Sequence, residues 1–222
     1  PEIREDMSGH YILELTEAEF EERLGRFDEL GLEEKLRLLI DRDLLARAGV
    51  VSNASLLPLI WKFRNESSAA VWNIILTIVS GLKIFFDSET DEEKEFKKFV
   101  GKLVKTKLDA VGFKTKETDD ENIVRLRGIL LALDFYAEDL DVLRKMSGMY
   151  NNDYASLDAE IRGDVLNAKI YLEPTMIDKY LEDYVKVADP EIKFELLLAA
   201  TLSHDKKVLT RVMELLNQPD IV

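Results

Sequence analysis

The sequence predicts an all-α protein, built as a HEAT-like α-solenoid of antiparallel helix pairs. Apolar residues recur at helical spacing through nearly the whole chain from Thr16 onward. The segments with this spacing are joined by short connections, and such connections typically join neighbouring helices into antiparallel pairs that stack. Strand-like alternation occurs only in the short segment 10–15. The chain shows no strict repeat of fixed period, so the predicted array is a degenerate one.

The composition allows one large domain and excludes several classes of function. The chain has 222 residues, of which 46% are hydrophobic, and this length can bury a core without a staple. It has no cysteine, which excludes a disulfide framework and a thiolate zinc site and favours a cytoplasmic location. The 30 Lys and Arg against 44 Asp and Glu give a net charge of −14. We therefore expect neither a nucleic acid nor a membrane as partner.

The first part of the chain reads as a short lead-in followed by capped helices. Residues 1–15 are predicted to be a linker or the tail of a preceding β domain, and residues 16–222 the helical domain. Thr16 and Glu19 have the spacing of a capping box, in which each side chain satisfies a backbone N–H of the other residue. The second helix is expected to end at Gly49, since glycine readily adopts the left-handed conformation that follows a helix.

The central helices are predicted to hold the core. Ser52 is expected to cap the third helix, and Pro58 to kink it, because proline lacks an N–H and clashes with the preceding turn. A long, nearly uniformly apolar helix follows over 67–86, which predicts burial on several sides. Trp72 and the neighbouring pair Phe85-Phe86 stand at core spacing.

The second half continues the helical pattern. A charged amphipathic helix runs to Leu108, and the polar connection 112–120 is the best candidate for an internal boundary. Pro174 and Pro190 are placed at helix starts, where a missing N–H costs nothing. The remaining predicted helices cover residues 120–137, 137–150, 157–171, 175–187, 190–203 and 204–217.

The residue patterns that catalysis would require are missing. The two histidines, His10 and His204, are far apart, and neither stands in a His-Glu-x-x-His pattern that would place two zinc ligands on one helix face. No nucleophile elbow or phosphate-binding glycine loop occurs. We therefore predict no catalytic residue, no metal ligand and no cofactor within this chain.

Four segments stand out by their order and spacing: the run from Leu30 to Trp72; Val111-Gly112-Phe113 followed by Glu117, Asp119 and Leu126-Arg127; Leu157 to Val165 with Arg162; and Asp189 to Leu216. In this order they resemble the C-terminal helical domain of bacterial zinc aminopeptidases of the aminopeptidase N type. Together they cover most of the chain from Leu30 onward. The family normally continues beyond the position of Val222, so the resemblance implies a domain truncated at its C-terminus.

The resemblance implies a role in a peptidase. The parent enzyme would be a zinc-dependent hydrolase that removes N-terminal residues from peptides, with its zinc and catalytic groups in a preceding domain of the same chain. The helical domain would close over that active site and restrict the access of peptide substrates. Arg127 and Arg162 match recurrent arginines of the family, and they are the candidates for lining the peptide chamber. Buried structural ion pairs are the alternative interpretation of both residues.

A second hypothesis is a free-standing α-solenoid that binds a partner protein along its concave face. A scaffold of this kind would have polar capping helices at both ends and would need no catalytic domain. The strand-like segment 10–15 and the abrupt ending at Val222 favour the peptidase domain over the scaffold.

Overall fold

The computed structural model describes residues 11–201, 203 and 205–217, and in this part of the chain eleven α-helices form and no strand does. The all-α prediction is therefore confirmed. The helices are α1 (Glu17–Gly25), α2 (Leu32–Arg47), α3 (Leu56–Lys62), α4 (Ala69–Leu82), α5 (Asp91–Val111), α6 (Glu121–Ala137), α7 (Leu140–Ser147), α8 (Ala159–Leu172), α9 (Ile177–Lys186), α10 (Pro190–Thr201) and α11 (Lys206–Leu216).

From α4 onward the helices contact one another in two alternating rows. In the first row α4 packs on α6, α6 on α8 and α8 on α10. In the second row α5 packs on α6, α7 on α8 and α9 on α10, while α11 contacts both α9 and α10. One apolar cluster runs through the described residues, so both rows share a core. The superhelical path of a solenoid stays a prediction.

Residues 11–15 lie along α2, and this described part of the strand-like segment 10–15 does not form a strand. The backbone N–H of Leu13 donates to Asp41 Oδ2 at 3.0 Å, and the Arg37 guanidinium donates to the Tyr11 carbonyl at 2.8 Å. Side chains of a helix thus satisfy this stretch of backbone. The division into a lead-in 1–15 and a domain 16–222 stays a prediction.

Side-chain caps set most of the helix starts. The predicted capping box forms: Glu19 N–H donates to Thr16 Oγ1 at 3.3 Å, and Thr16 N–H donates to Glu19 Oε2 at 2.8 Å. Gly49 has φ +72°, as predicted for the residue that ends α2. Other side chains accept a backbone N–H in the first turn of their helix, namely Thr90, Asp120, Asp139, Asp158 and Asp205.

Two predictions for the central helices are wrong. Pro58 does not kink α3, because the helix begins at Leu56 and Pro58 stands in its first turn, where no intrahelical N–H bond is lost. The apolar helix predicted over 67–86 ends at Leu82 and passes into a 3₁₀ turn that leaves Phe85 64% exposed. Trp72 is fully buried, as predicted.

The connection 112–120 is not an internal boundary. α5 and α6, which it joins, pack along each other, and α6 also packs on α4 and α8. The connection therefore lies within one packed unit. The helix predicted to open at His204 begins at Lys206 instead, with Asp205 as its cap.

Candidate functional site

A groove opens on the surface of the first row of helices, between α4, α6 and α8. Its volume is about 620 Å³. We refer to it as the α4–α6–α8 groove. It is lined by Ala69, Ala70, Asn73 and Leu76 of α4, Arg125, Gly128, Ile129 and Ala132 of α6, and Glu160 and Asp164 of α8. Small side chains on α4 and α6 leave this space open.

A close approach of two backbones sets the α6–α8 side of the groove. A Cβ added at Gly128 would lie 2.9 Å from the carbonyl oxygen of Glu160, closer than real Cβ atoms come to other atoms. Only glycine lets α6 approach α8 this closely at that position. Gly128 therefore fixes the distance between the two helices that carry the charged groups of the groove.

A hydrogen-bonded clamp from α6 sets the α4 side. Ser68, which precedes α4, makes no side-chain cap. Asn122 of α6 takes over this role: its Oδ1 accepts the Ala69 N–H at 2.8 Å, and its Nδ2 donates to the Ser67 carbonyl at 2.8 Å. The start of α4 is thereby held against the start of α6, at the edge of the groove.

The groove carries more acidic than basic charge. Asp164 is half-buried and has no hydrogen-bond partner among the described residues. Burial, with a smaller contribution from the nearby charge of Glu195, raises its pKa to about 7. Glu160 is exposed at the rim. The one cation, Arg125, lies 2.6 Å from Glu121 at the surface, so its charge is already countered.

Arg127, a predicted peptide-chamber residue, does not line this groove but lies beneath the connection between α5 and α6. Its side chain is 0% exposed. Nε donates to the Gly112 carbonyl at 3.1 Å, one terminal nitrogen donates to Thr115 Oγ1 at 3.1 Å, and the other pairs with Asp119. This is the geometry of a buried structural ion pair. A contact between Arg127 and peptide stays a prediction.

The same network reaches α8. Thr115 donates its hydroxyl hydrogen to Asp158, the residue that caps α8. Asp119 accepts the Lys116 N–H at 2.9 Å in addition to pairing with Arg127, and these two contacts lower the pKa of its carboxyl. The buried guanidinium therefore orders the whole connection and ties it to the first turn of α8.

Arg162, the second predicted residue, joins α8 to α10. Its Nε pairs with Glu195, and a terminal nitrogen lies 3.2 Å from Glu191 Oε2. Arg162 is buried, and burial raises the pKa of Glu195 although the guanidinium beside it acts in the opposite direction. Arg162 therefore has two acidic neighbours among the described residues, both on α10. A contact with peptide stays a prediction here too.

The described residues contain no group of three or more His, Cys, Asp or Glu side chains placed to hold a metal ion. The two histidines of the sequence, His10 and His204, lie outside the described residues. Among the described helices, none is long and apolar enough to cross a membrane.

Comparison with known proteins identifies the family. The model of the ERAP1-like C-terminal domain matches residues 5–222. The chain belongs to this family. The resemblance to the C-terminal domain of aminopeptidase N-type enzymes is therefore confirmed.

Individual relatives of this ERAP1-like C-terminal domain carry the names of aminopeptidases. Aminopeptidase N of Lactococcus lactis subsp. cremoris is 33% identical over 218 residues, which is 96% of this chain and 26% of the relative. Aminopeptidase N of Lactobacillus helveticus is 29% identical over 97% of the chain and 26% of the relative. Mitochondrial aminopeptidase 2 of Saccharomyces cerevisiae is 26% identical over 81% of the chain. The chain spans about a quarter of the length of the bacterial relatives.

Sequence reasoning did not single out the charged groups of the groove. Glu160 and Asp164 are four residues apart and share a helix face, but the chain has 44 acidic residues and many pairs have this spacing. The signal that could have distinguished them is the Gly128 close approach, because a glycine inside a helix often marks a tight packing contact. Its partner on α8 is visible only in three dimensions.

Proposed function

We propose that this chain is the domain that closes over the active site of a zinc aminopeptidase and limits which peptides reach it. The family match over residues 5–222 carries this proposal, and the aminopeptidase names of the relatives support it. The chain would itself be non-catalytic. The free-standing scaffold is less favoured, because the matching family is a C-terminal domain and the relatives are about four times longer.

The zinc and the catalytic groups would belong to the preceding domain of the same polypeptide. The described residues of this chain hold no cluster suited to a metal, so its contribution would be shape and charge. A domain that closes over a reaction centre excludes water and selects substrates by size. A cytoplasmic location remains an expectation that rests on composition.

The α4–α6–α8 groove would face the peptide. Its small side chains leave about 620 Å³, enough for side chains of an extended peptide. Asp164 and Glu160 have no basic side-chain partner among the described residues, so both attract a cation. Peptide ammonium groups and Lys or Arg side chains supply such a cation. We therefore expect the domain to favour basic peptides at pH values where Asp164 is ionised.

The face of α2 would pack against the catalytic domain. Ile40 and Leu44 are each 41% exposed and stand one turn apart on α2. Tyr11 and Ile12, about half exposed, also lie against α2, because Arg37 donates to the Tyr11 carbonyl. An exposed apolar patch of this kind is typical of an interface. Its position next to the incoming chain fits an interface with the domain that precedes it.

The experiment that tests this function is a domain replacement. The corresponding domain of Lactococcus lactis aminopeptidase N, to which this chain is 33% identical, is exchanged for residues 1–222. We expect the chimaera to hydrolyse short peptides and to spare the N-termini of folded proteins. The matched control lacks the helical domain and should lose this selection. A folded chimaera that cleaves short peptides and folded proteins equally well would overturn the proposal.

The groove is tested in the same chimaera. Replacing Glu160→Gln and Asp164→Asn together should raise KM for Lys- and Arg-containing peptides several-fold and leave KM for neutral peptides unchanged. The control double variant, Asp91→Asn with Glu92→Gln, removes the same charge from the exposed start of α5. Equal effects of the two double variants would mean that only net charge matters and that the groove does not contact peptide.

A further inference from the structure

A second cavity, of about 700 Å³, lies against the connection between α5 and α6. Its walls come from that connection, from the end of α7 and from the segment leading into α8. Three of its lining residues are cations, Lys114, Arg144 and Lys145, and we refer to it as the cation pocket. The only acidic residue among its lining residues is Asp158. Such an excess of positive charge is unusual in a chain whose net charge is −14.

The cations of this pocket are poorly compensated. Lys114 and Lys145 form no ion pair with any described residue, and Lys145 Nζ instead lies 5.2 Å above the ring of Phe113. Arg144 pairs with Asp141 at 3.2 Å, but both side chains are largely exposed. An exposed pair of this kind is weak and readily exchanges its partner. The carboxylate of Asp158 already accepts from the Thr115 hydroxyl and the Glu160 N–H.

The pocket is also held in shape before any ligand arrives. Arg127 bonds to Gly112 and Thr115 on either side of Lys114, and Thr115 is tied to Asp158 on the opposite wall. The position of the Lys114 backbone is therefore fixed relative to α8. A pocket whose backbone is already ordered binds an anion at a lower cost in conformational entropy than one whose backbone the ligand must order.

We propose that the cation pocket binds a phosphate group, either as inorganic phosphate or as a phosphomonoester. Three cations line the pocket against one lining carboxylate, and Asp141 pairs with Arg144 at its edge, so the local charge is positive, about +1 to +2, and attracts a phosphate near neutral pH. The guanidinium of Arg144 supplies a planar pair of donors suited to two phosphate oxygens. This proposal does not depend on the groove or on the aminopeptidase function.

The test is a titration of the chain with inorganic phosphate, followed by the ³¹P chemical shift and by calorimetry, at ionic strength held constant with chloride. We expect saturable binding with a 1:1 stoichiometry. A second titration with glycerol phosphate distinguishes the two sources: tighter binding of the ester identifies a phosphomonoester, and tighter binding of inorganic phosphate identifies the free anion. Equally tight binding of acetate, or no saturation by either phosphate, would overturn the proposal.

The variant that locates the site is Lys114→Gln with Lys145→Gln. Both side chains are exposed, so the fold should be unaffected, and phosphate should bind at least about tenfold more weakly. The control is Lys102→Gln with Lys207→Gln, which removes the same charge from exposed positions outside the pocket. Equal weakening in the two double variants would show that phosphate is attracted by the overall charge of the chain and would overturn the proposed site.

Discussion

The two halves of α6 each bury a charged residue, but only the residue in the N-terminal half has its hydrogen-bonding groups paired with other described residues. Arg127 and Asp134 are seven residues apart, which places them on one face of the helix, and they are 0% and 2% exposed. In the N-terminal half, each nitrogen group of Arg127 bonds to the connection 112–119. In the C-terminal half, Asp134 Oδ2 is buried and has no hydrogen-bond partner among the described residues.

The neighbours explain the contrast. Arg127 meets a carboxylate, a carbonyl and a hydroxyl, all of which accept hydrogen bonds. Burial is the main cause that raises the pKa of Asp134 to about 7. The nearby acids Asp139 and Asp109 add to this rise, and the charges of Lys105 and Lys145 oppose it only in part. The Tyr136 hydroxyl in the same half is also buried without a partner. The connection supplies hydrogen-bonding partners for the buried charge of Arg127, whereas the described residues supply none for Asp134 Oδ2 in the other half of α6.

Removing the hydrogen-bonded charge of Arg127 should cause the largest loss of stability. Arg127→Met removes the cation that pairs with Asp119 and the donor to the Gly112 carbonyl, and breaking a buried pair costs about 3 to 5 kcal/mol. Chemical denaturation of the variant and the wild-type chain measures the loss in the free energy of unfolding. The matched control is Arg125→Met, two residues away, whose surface pair with Glu121 should contribute only about 0 to 1 kcal/mol. Equal losses in both variants would contradict the comparison.

Removing the unsatisfied charge should stabilise the protein. The pKa of Asp134 rises from its usual 3.8 to about 7, so the folded state binds more protons than the unfolded state between these values, and stability falls as pH rises through that window. At about 1.4 kcal/mol per pKa unit the ionised carboxyl costs roughly 4 kcal/mol. Asp134→Asn should recover about 2 to 3 kcal/mol at pH 8, since its amide is also buried.

The pH dependence provides the control for this prediction. The gain of Asp134→Asn over the wild-type chain should be small near pH 4, grow up to about pH 7 and then level off, because the wild-type carboxyl is neutral in the folded state below that value. Denaturation of both proteins at a series of pH values measures it. A gain that does not change with pH would mean that the carboxyl is ionised or solvated in the folded protein.

A pair of glycine substitutions compares how tightly the two halves of α6 are packed. Gly128→Ala in the N-terminal half places a Cβ 2.9 Å from the Glu160 carbonyl oxygen. Overpacking costs about 1 to 3 kcal/mol and alanine returns about 1 kcal/mol of helix propensity, so we expect a net loss of about 0 to 2 kcal/mol. Gly101→Ala on α5 meets Ala137 at an ordinary 3.5 Å and should gain up to about 1 kcal/mol.

Thermal denaturation of the two glycine variants measures these changes. The N-terminal half of α6 fits its neighbour with no room for a methyl group, whereas the C-terminal half has that room. If both variants were stabilised, the close approach of α6 and α8 would not be a constraint on the groove, and the groove width would have to be set elsewhere.

The features of the fold that depend on neighbouring residues in the sequence could be predicted. The capping box of Thr16 and the glycine stop at Gly49 depend on residues close in sequence, and both were predicted correctly. Pro58 and Phe85 were misjudged because the position of a residue within its helix decides its effect. Pro58 stands in a first turn, and Phe85 follows the end of α4.

The candidate site could not be predicted from the sequence in the same way, because it is formed by contacts between segments that are distant in the chain. Arg127 was selected by resemblance, and its role under the connection follows from Gly112, Thr115 and Asp119, whose spacing alone does not place them around it. Asp164 was not selected, because an acid on a helix face is ordinarily solvated. Its raised pKa results from packing between α6, α8 and α10, which local sequence does not encode.

The smallest expected loss of stability comes from Asn122→Ala. This substitution tests whether the N-terminal half of α6 holds the start of α4 in place. Asn122→Ala removes the acceptor for Ala69 N–H and the donor to the Ser67 carbonyl, and loss of a helix cap costs about 1 kcal/mol. The control is Asn73→Ala, an exposed residue of α4 whose side chain bonds to no described residue and whose loss should change stability by less than about 0.5 kcal/mol. Hydrogen exchange of the first-turn amides of α4 provides the local measurement. Faster exchange there in Asn122→Ala alone would show that α6 holds the groove edge in place, whereas unchanged exchange would limit its influence to the connection beneath Arg127.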